Sequence, residues 1–390
     1  FYLNTEIEIS ILERLDFGFD GVFDPFTTSD VYGYSGDFGF ITNSTPERDS
    51  TSFYGQGTWN HSDSLRTVFG LRHTKDEVYS AVTNFYGRSG TDILETDGNK
   101  VTGRLVVEKD IDDDTMLYGS FTRGYKPGGS NLTYGREDVV AQIVVLPTFQ
   151  EEIVDAFEVG LKTDLADGRV RLNTAAFLYN YEGLQYQATD PEVFEGGVGN
   201  IPDSEIYGAE LELSTFLSDS VILDLRMSWL DTEITANHLA LDNVESEAAT
   251  NALLAQGIGL FSNDVQIARA GRIQNVKGNE LAKTPSFTGN VALNWSNDHN
   301  WGELKGTLQY TYRGGFKHRI FNNSQTDLVP NYDVLDIMLG FYPASAENQH
   351  FEIIGKNLFD QDGINARFTD VFGVGATGDE LIAPRQIMLR

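Results

Sequence analysis

The feature that most constrains this chain is a strict two-residue alternation in the hairpin from Ser204 to Ile234. Tyr207, Ala209, Leu211 and Leu213 on one arm are apolar, as are Val221, Leu223, Leu225, Met227 and Trp229 on the other. Between them stand Gly208, Glu210, Glu212 and Ser214, then Asp224, Arg226 and Ser228. Side chains of a strand point alternately to opposite faces, so each arm is a strand with one oily and one wet face. Each arm runs about 10 residues, the length a tilted strand needs to cross the hydrocarbon of a bilayer. The oily face must therefore meet either a protein core or lipid.

The alternation recurs along the whole chain. It predicts about 15 strands, over 1–10, 14–24, 50–60, 65–79, 99–110, 115–126, 150–164, 168–187, 204–216, 220–235, 284–297, 302–318, 331–342, 349–359 and 384–390. The connections alternate in length. Those at 11–13, 61–64, 111–114, 166–168, 217–219, 296–301 and 343–348 are short, and those near 25–49, 80–98, 127–149, 188–203, 236–283, 319–330 and 360–383 are long. Tight turns at one rim and long loops at the other are the pattern of a transmembrane barrel. A soluble sandwich would have short connections at both ends. Trp59, Tyr79, Tyr118, Tyr125, Tyr179, Tyr181, Trp229, Trp295, Tyr310, Tyr312 and Tyr342 gather near strand ends, as interfacial girdles require. The expected fold is all-β, a transmembrane antiparallel barrel. Within the loop 236–283, the Ala- and Leu-rich segment 245–256 reads as a short helix folded over the rim.

Charge narrows the partners. With 58 acidic residues against 28 Lys and Arg, the net charge is −30, which argues against nucleic acid as a partner. There is no cysteine, hence no disulfide framework or thiolate metal site. No run approaches the roughly 18 apolar residues of a membrane helix. The chain opens on Phe1-Tyr2-Leu3, already in strand pattern, from which we expect it to be part of a longer protein.

Four motifs carry a family resemblance. The stretch from Pro147 to Lys162, ending Phe157-Glu158-Val159-Gly160-Leu161-Lys162, is one, and Tyr118-Gly119-Ser120-Phe121-Thr122-Arg123-Gly124-Tyr125-Lys126-Pro127-Gly128-Gly129 is another. Ile206-Tyr207-Gly208-Ala209-Glu210-Leu211-Glu212 and Lys356-Asn357-Leu358-Phe359-Asp360 complete the set. Together, in this order, they resemble strands of the TonB-dependent outer-membrane receptors. The resemblance implies a barrel of about 22 strands closed inside by an N-terminal plug. It further implies energy coupling through a TonB–ExbB–ExbD complex, and a cargo such as a ferric siderophore, haem, cobalamin or oligosaccharide. The plug and the first strands would then lie outside the sequence, and the last strand, ending Gln386-Ile387-Met388-Leu389-Arg390, reads as clipped. A passive porin and an adhesin or structural barrel are the rival readings.

Catalytic constellations are poor, and we expect a protein that is not an enzyme, with no cofactor and no metal site. His61, His73, His238, His299, His318 and His350 show no ligand spacing and read as surface or rim histidines. Ile111-Asp112-Asp113-Asp114 reads as a solvated turn, and Gly373-Val374-Gly375-Ala376-Thr377-Gly378 lacks the βαβ unit that a dinucleotide fingerprint needs. On the wet faces, Glu158, Lys162, Glu210, Glu212, Asp224 and Arg226 would line the lumen and hold a plug or water. An Arg or Lys turned to lipid at mid-membrane would cost about 2–4 kcal/mol, so Arg66, Arg72, Arg104, Arg169, Arg171 and Lys305 should also point inward. Cargo should be met at the long-loop rim. The candidates there are Arg123, Tyr125 and Lys126 before a Gly-Gly loop, Tyr181 and Tyr186 before loop 188–203, and Arg313, Phe316, Lys317, His318 and Arg319 before loop 319–330. Aromatic rings stack on ligand rings, and cations pair with anionic groups.

Overall fold

The computed structural model describes residues 2–6, 9–14, 39–84, 91–132, 145–189, 196–260, 262–345, 349–369 and 377–390. Most are in one antiparallel sheet of 15 strands in which neighbours in sequence are neighbours in space. Tyr2–Glu6 and Ile9–Arg14 lie end to end along Gly39–Ser62 at one edge, and Gln386–Leu389 forms the other edge beside Phe351–Lys356. Strands join through tight turns at one rim, as at 63–64, 111–114 and 166–169. At the opposite rim the connections are long.

The two faces are chemically opposite. One file across the sheet runs Phe121, Phe157, Leu178 and Tyr207; the next runs Ser120, Glu158, Phe177 and Gly208. On the first face large apolar side chains are left open: Leu71 is 65% exposed and Val159 60%. A continuous apolar surface of this extent is not stable against water and identifies the lipid side. On the second face the charges satisfy one another. Arg66 bonds Glu108 and Asp110, Tyr118 Oη donates to Glu158, and Asn294 donates to Asp224.

Two family-like glycines have a packing reason. A Cβ on Gly160 would stand 2.4 Å from the Tyr118 ring, which lies across the strand between Glu158 and Lys162. A Cβ on Gly208 would meet the Trp229 carbonyl oxygen at 2.3 Å and the Phe177 ring at 2.7 Å. Each glycine lets a neighbouring ring lie flat on the inner face.

Beyond the membrane the long-loop rim becomes a packed crown. Gly39–Ser62, Leu65–Asn84, Val170–Thr189 and Gly196–Ser218 have 20 to 24 residues, about twice the span of a bilayer. The outer halves of Val170–Thr189 and Gly196–Ser218 and the loops enclose a core of Ile201, Ile234, Ala240, Val276, Leu281 and Ile320, and Val82 of Leu65–Asn84 packs in a second cluster with Val145 and Ala188. Two helices sit in the longest loop, α1 (Asn243–Leu254) and α2 (Asn263–Ala270). Asp242 caps α1 by accepting from the Val244 and Glu245 backbone N–H groups, and Ser262 caps α2.

Several expectations need correction. Residues 11–13 are not a turn but continue a strand paired to 40–42. The supposed loops 25–49, 80–98 and 188–203 contain paired strand at 39–49, 80–84, 91–98, 188–189 and 196–203. Their polar, Gly-rich composition reflects extended hairpins standing in water. The strand 302–318 stops at Arg313, and Phe316–Lys317 pairs separately with Leu328–Val329. Of the supposed girdle, Tyr118, Tyr125, Tyr179, Tyr181 and Tyr342 are on the inner face. In Val170–Thr189 the odd positions up to Tyr181 point inward, so parity alone misplaces Tyr179 and Tyr181. His318 is buried and not a surface residue. Of the strand expected over 14–24 only Arg14 is described, and it ends the strand Ile9–Arg14; residues 15–24 and most of the glycine motif 373–378 lie outside the described residues.

Candidate functional site

The long-loop rim encloses a cleft of about 450 Å³. Its walls come from six stretches of chain: 181–189, Ile206, 240–243, 281–284, 318–321 and 367–369. Leu184, Ile206, Leu241, Leu281, Ile320, Phe321 and Phe368 give it an apolar lining, set with a few polar groups. Such a concave, apolar surface of this size suits a small molecule.

Of the ten rim candidates, the cleft brings together Tyr181, Tyr186, His318 and Arg319. Three of these are bound into the walls. Arg319 commits all five guanidinium N–H groups: Nε and Nη2 to Asp327, Nη1 to Asp242 and Asn243, and Nη2 to Thr326. Both Asp242 and Asp327 are fully buried, so Arg319 joins the cap of α1 to loop 319–330. Tyr186 Oη lies 2.8 Å from His238 Nε2. His318 lies 2.8 Å from Thr369 Oγ1 and 3.2 Å from the Asp327 carbonyl oxygen. Burial holds both histidines below the usual histidine range. Tyr181 contributes its ring to the wall.

The other six lie elsewhere. Arg123 forms a two-pronged bond to Asp155 on the outer face. Tyr125 turns inward, its hydroxyl buried beside Asp76, and Lys126 is exposed near Glu152. Arg313 is sandwiched between the Phe316 and Tyr332 rings and donates to the Ile364 and Asn365 carbonyls, tying loop 314–331 to the last hairpin. Phe316 is buried under it. Lys317 pairs opposite Leu328 through the backbone.

The proposed lumen set shares one face. Glu158 accepts from Tyr118, Lys162 lies 5.6 Å from the centre of the same ring, Arg226 faces Glu212 at 4.0 Å, and Glu210 and Asp224 stand on the same face in neighbouring rows. Sequence reasoning missed Leu184, Ile206, Lys283, Arg367 and Phe368 in the cleft. Alternation at Ile364, Ala366 and Phe368 was the available sign that the last loop is a hairpin, paired to 377–381.

Sheet, faces and crown together define an outer-membrane β-barrel protein. Residues 3–358 match the family model described as TonB dependent receptor-like, beta-barrel, and the chain belongs to that family. It is 26% identical over 193 residues to the probable TonB-dependent siderophore receptor PiuA of Acinetobacter baumannii, covering 48% of this chain and 24% of that protein. Among solved structures it resembles the ferric yersiniabactin uptake receptor FyuA of Yersinia pestis (TM-score 0.64, 19% identity, 89% of this chain and 46% of that one). It also resembles the siderophore receptor PiuA of A. baumannii (TM-score 0.61, 16% identity, 91% and 43%). The copper transporter OprC is a third (TM-score 0.58, 12% identity, 90% and 54%). The chain thus spans about half or less of each.

Proposed function

We propose that this barrel belongs to a gated active importer that takes a scarce nutrient from outside the cell and is energised through a TonB–ExbB–ExbD complex. The observation that carries the reading is the crown. Separate stretches of chain at the long-loop rim converge on one apolar cleft, and Arg319 and Arg313 fasten its loops to one another, whereas a diffusion pore needs only a water path. PiuA is a probable siderophore receptor and FyuA a ferric yersiniabactin uptake receptor, which makes a ferric chelate the first cargo to test. In this reading Glu158, Lys162, Glu210, Glu212, Asp224 and Arg226 face a plug domain, and Tyr181 with the cleft walls meets the cargo. No catalytic residue is assigned, in keeping with a family of receptors and transporters.

The test is uptake of radiolabelled iron chelates by iron-starved cells with and without the gene that encodes this chain. The expected result is uptake that needs the gene and stops when a protonophore collapses the proton gradient. Gene-dependent uptake that survives the protonophore would mean a passive channel. No gene-dependent uptake of any chelate, with surface attachment lost instead, would mean an adhesin.

A further inference from the structure

We infer that the cleft takes an anionic ligand with an aromatic or apolar body, and that Lys283 is the residue that reads its charge. This rests on the crown being the cargo-receiving part of the importer proposed above.

The first observation is a charge contrast. The chain has 58 acidic residues, yet among the described residues none that lines the cleft is Asp or Glu. Carboxylates do approach it, but from behind. Asp242 and Asp327 are fully buried against Arg319, and Asp379 bonds Arg367. These arginines are neutralised by the wall they hold.

Lys283 differs from them. It lines the cleft, is exposed, and makes no ion pair or side-chain hydrogen bond among the described residues. Its position is fixed by its backbone. Its φ is +62°, its N–H donates to the Lys317 carbonyl, and the next residue, Thr284, closes the turn by donating to the Leu281 carbonyl. A lysine held in the left-handed region, where glycine or asparagine is the easier choice, stands where the backbone over-determines it.

The chemistry of a matching ligand follows. Leu184, Ile206, Phe321 and Phe368 offer apolar and ring surface to its body. An ammonium at the edge of a partly dehydrated cleft favours a carboxylate, phenolate or sulfonate. A neutral sugar would leave many hydroxyls facing hydrocarbon, and a cation would meet Lys283 with no carboxylate among the described lining residues to offset it.

The test measures binding alone, by fluorescence quenching of the detergent-solubilised protein. Three probes serve: the triply negative tris-catecholate complex of iron(III), a neutral tris-hydroxamate complex of iron(III), and a neutral malto-oligosaccharide. The catecholate complex should bind best. Lys283→Glu should weaken it by about tenfold or more and Lys283→Gln by less, with the hydroxamate complex unchanged, as expected for one charge-assisted contact. Lys283→Arg should restore binding. Unchanged heat-modifiable gel mobility establishes that each variant folds. Equal affinity of wild type and Lys283→Glu for the catecholate complex, or a preference for either neutral probe, overturns the inference. Binding with the expected pattern but without energised uptake in cells sinks the importer reading alone. Energised uptake of a neutral chelate, with no effect of Lys283→Glu, sinks this inference alone.

Discussion

The membrane sheet and the crown are built from the same strands under opposite rules. In the sheet, Leu71, Phe157, Val159 and Ile387 turn their apolar side chains outward, and Arg66, Glu108 and Glu158 turn inward. In the crown the apolar groups go inside. Among the described residues, thirteen of the fifteen buried hydrophobics belong to it, the exceptions being Val106 and Ala292 on the inner wall of the sheet. The change happens within single strands: Gly196–Ser218 carries Ile201, fully buried, and Tyr207, open to lipid, six residues on. The solvent, and not the strand, decides which way the oily face looks. Water forces the crown to close on itself, and lipid lets the sheet leave its apolar face bare.

The contrast can be broken from the crown side first. Arg319→Ala leaves Asp242 and Asp327 buried and unpaired, and removal of one partner from such a group costs about 3–5 kcal/mol. The crown should loosen, seen as fast amide exchange and proteolysis within 236–283 and 318–330, while heat-modifiable gel mobility stays that of an intact barrel. A barrel that falls apart with the crown would show that the two regions are one cooperative unit.

From the sheet side, Arg in place of Leu211 or Leu225 should cost about 2–4 kcal/mol at mid-membrane and impair assembly. The same change at Ser214 or Ser228, one residue row away on the inner face, should be tolerated. Equal tolerance at both pairs in the gel assay would reverse the face assignment.

The smallest expected effect concerns pH. Burial holds His238 and His318 below the usual histidine range. As pH falls through about 6.5, the unfolded crown takes up protons before the folded one does. Crown stability is therefore full above that pH and declines below it, whereas the sheet has no such dependence from these groups. Amide exchange at about pH 7.5 and pH 5.5 should reveal faster opening of the crown at the lower pH. His318→Gln should reduce the difference.

The sequence by itself determined the lipid-facing row, the rim where the long connections gather, and most of the strands, though not their extent beyond the membrane. A period of two survives any tertiary arrangement, because a strand has only two faces. It also marked Asn357, whose role only the fold explains. Asn357 adopts φ +49°, and its side chain bonds the backbone of Gln361 and Ala383, closing the turn before the last strand.

The cleft was legible only in part. Tyr181, Tyr186, His318 and Arg319 were singled out as rim residues, but nothing local distinguishes an arginine that clamps two loops from one that awaits a ligand. That depends on Asp242, 77 positions away in the chain, arriving at 2.6 Å from Arg319. Lys283 carries no pattern at all. Its place in the cleft depends on segments near 184, 240, 320 and 368 being brought together by a core that periodicity cannot see. Alternation is a property of one strand, whereas a site is a meeting of several, and only tertiary structure sets which of them meet.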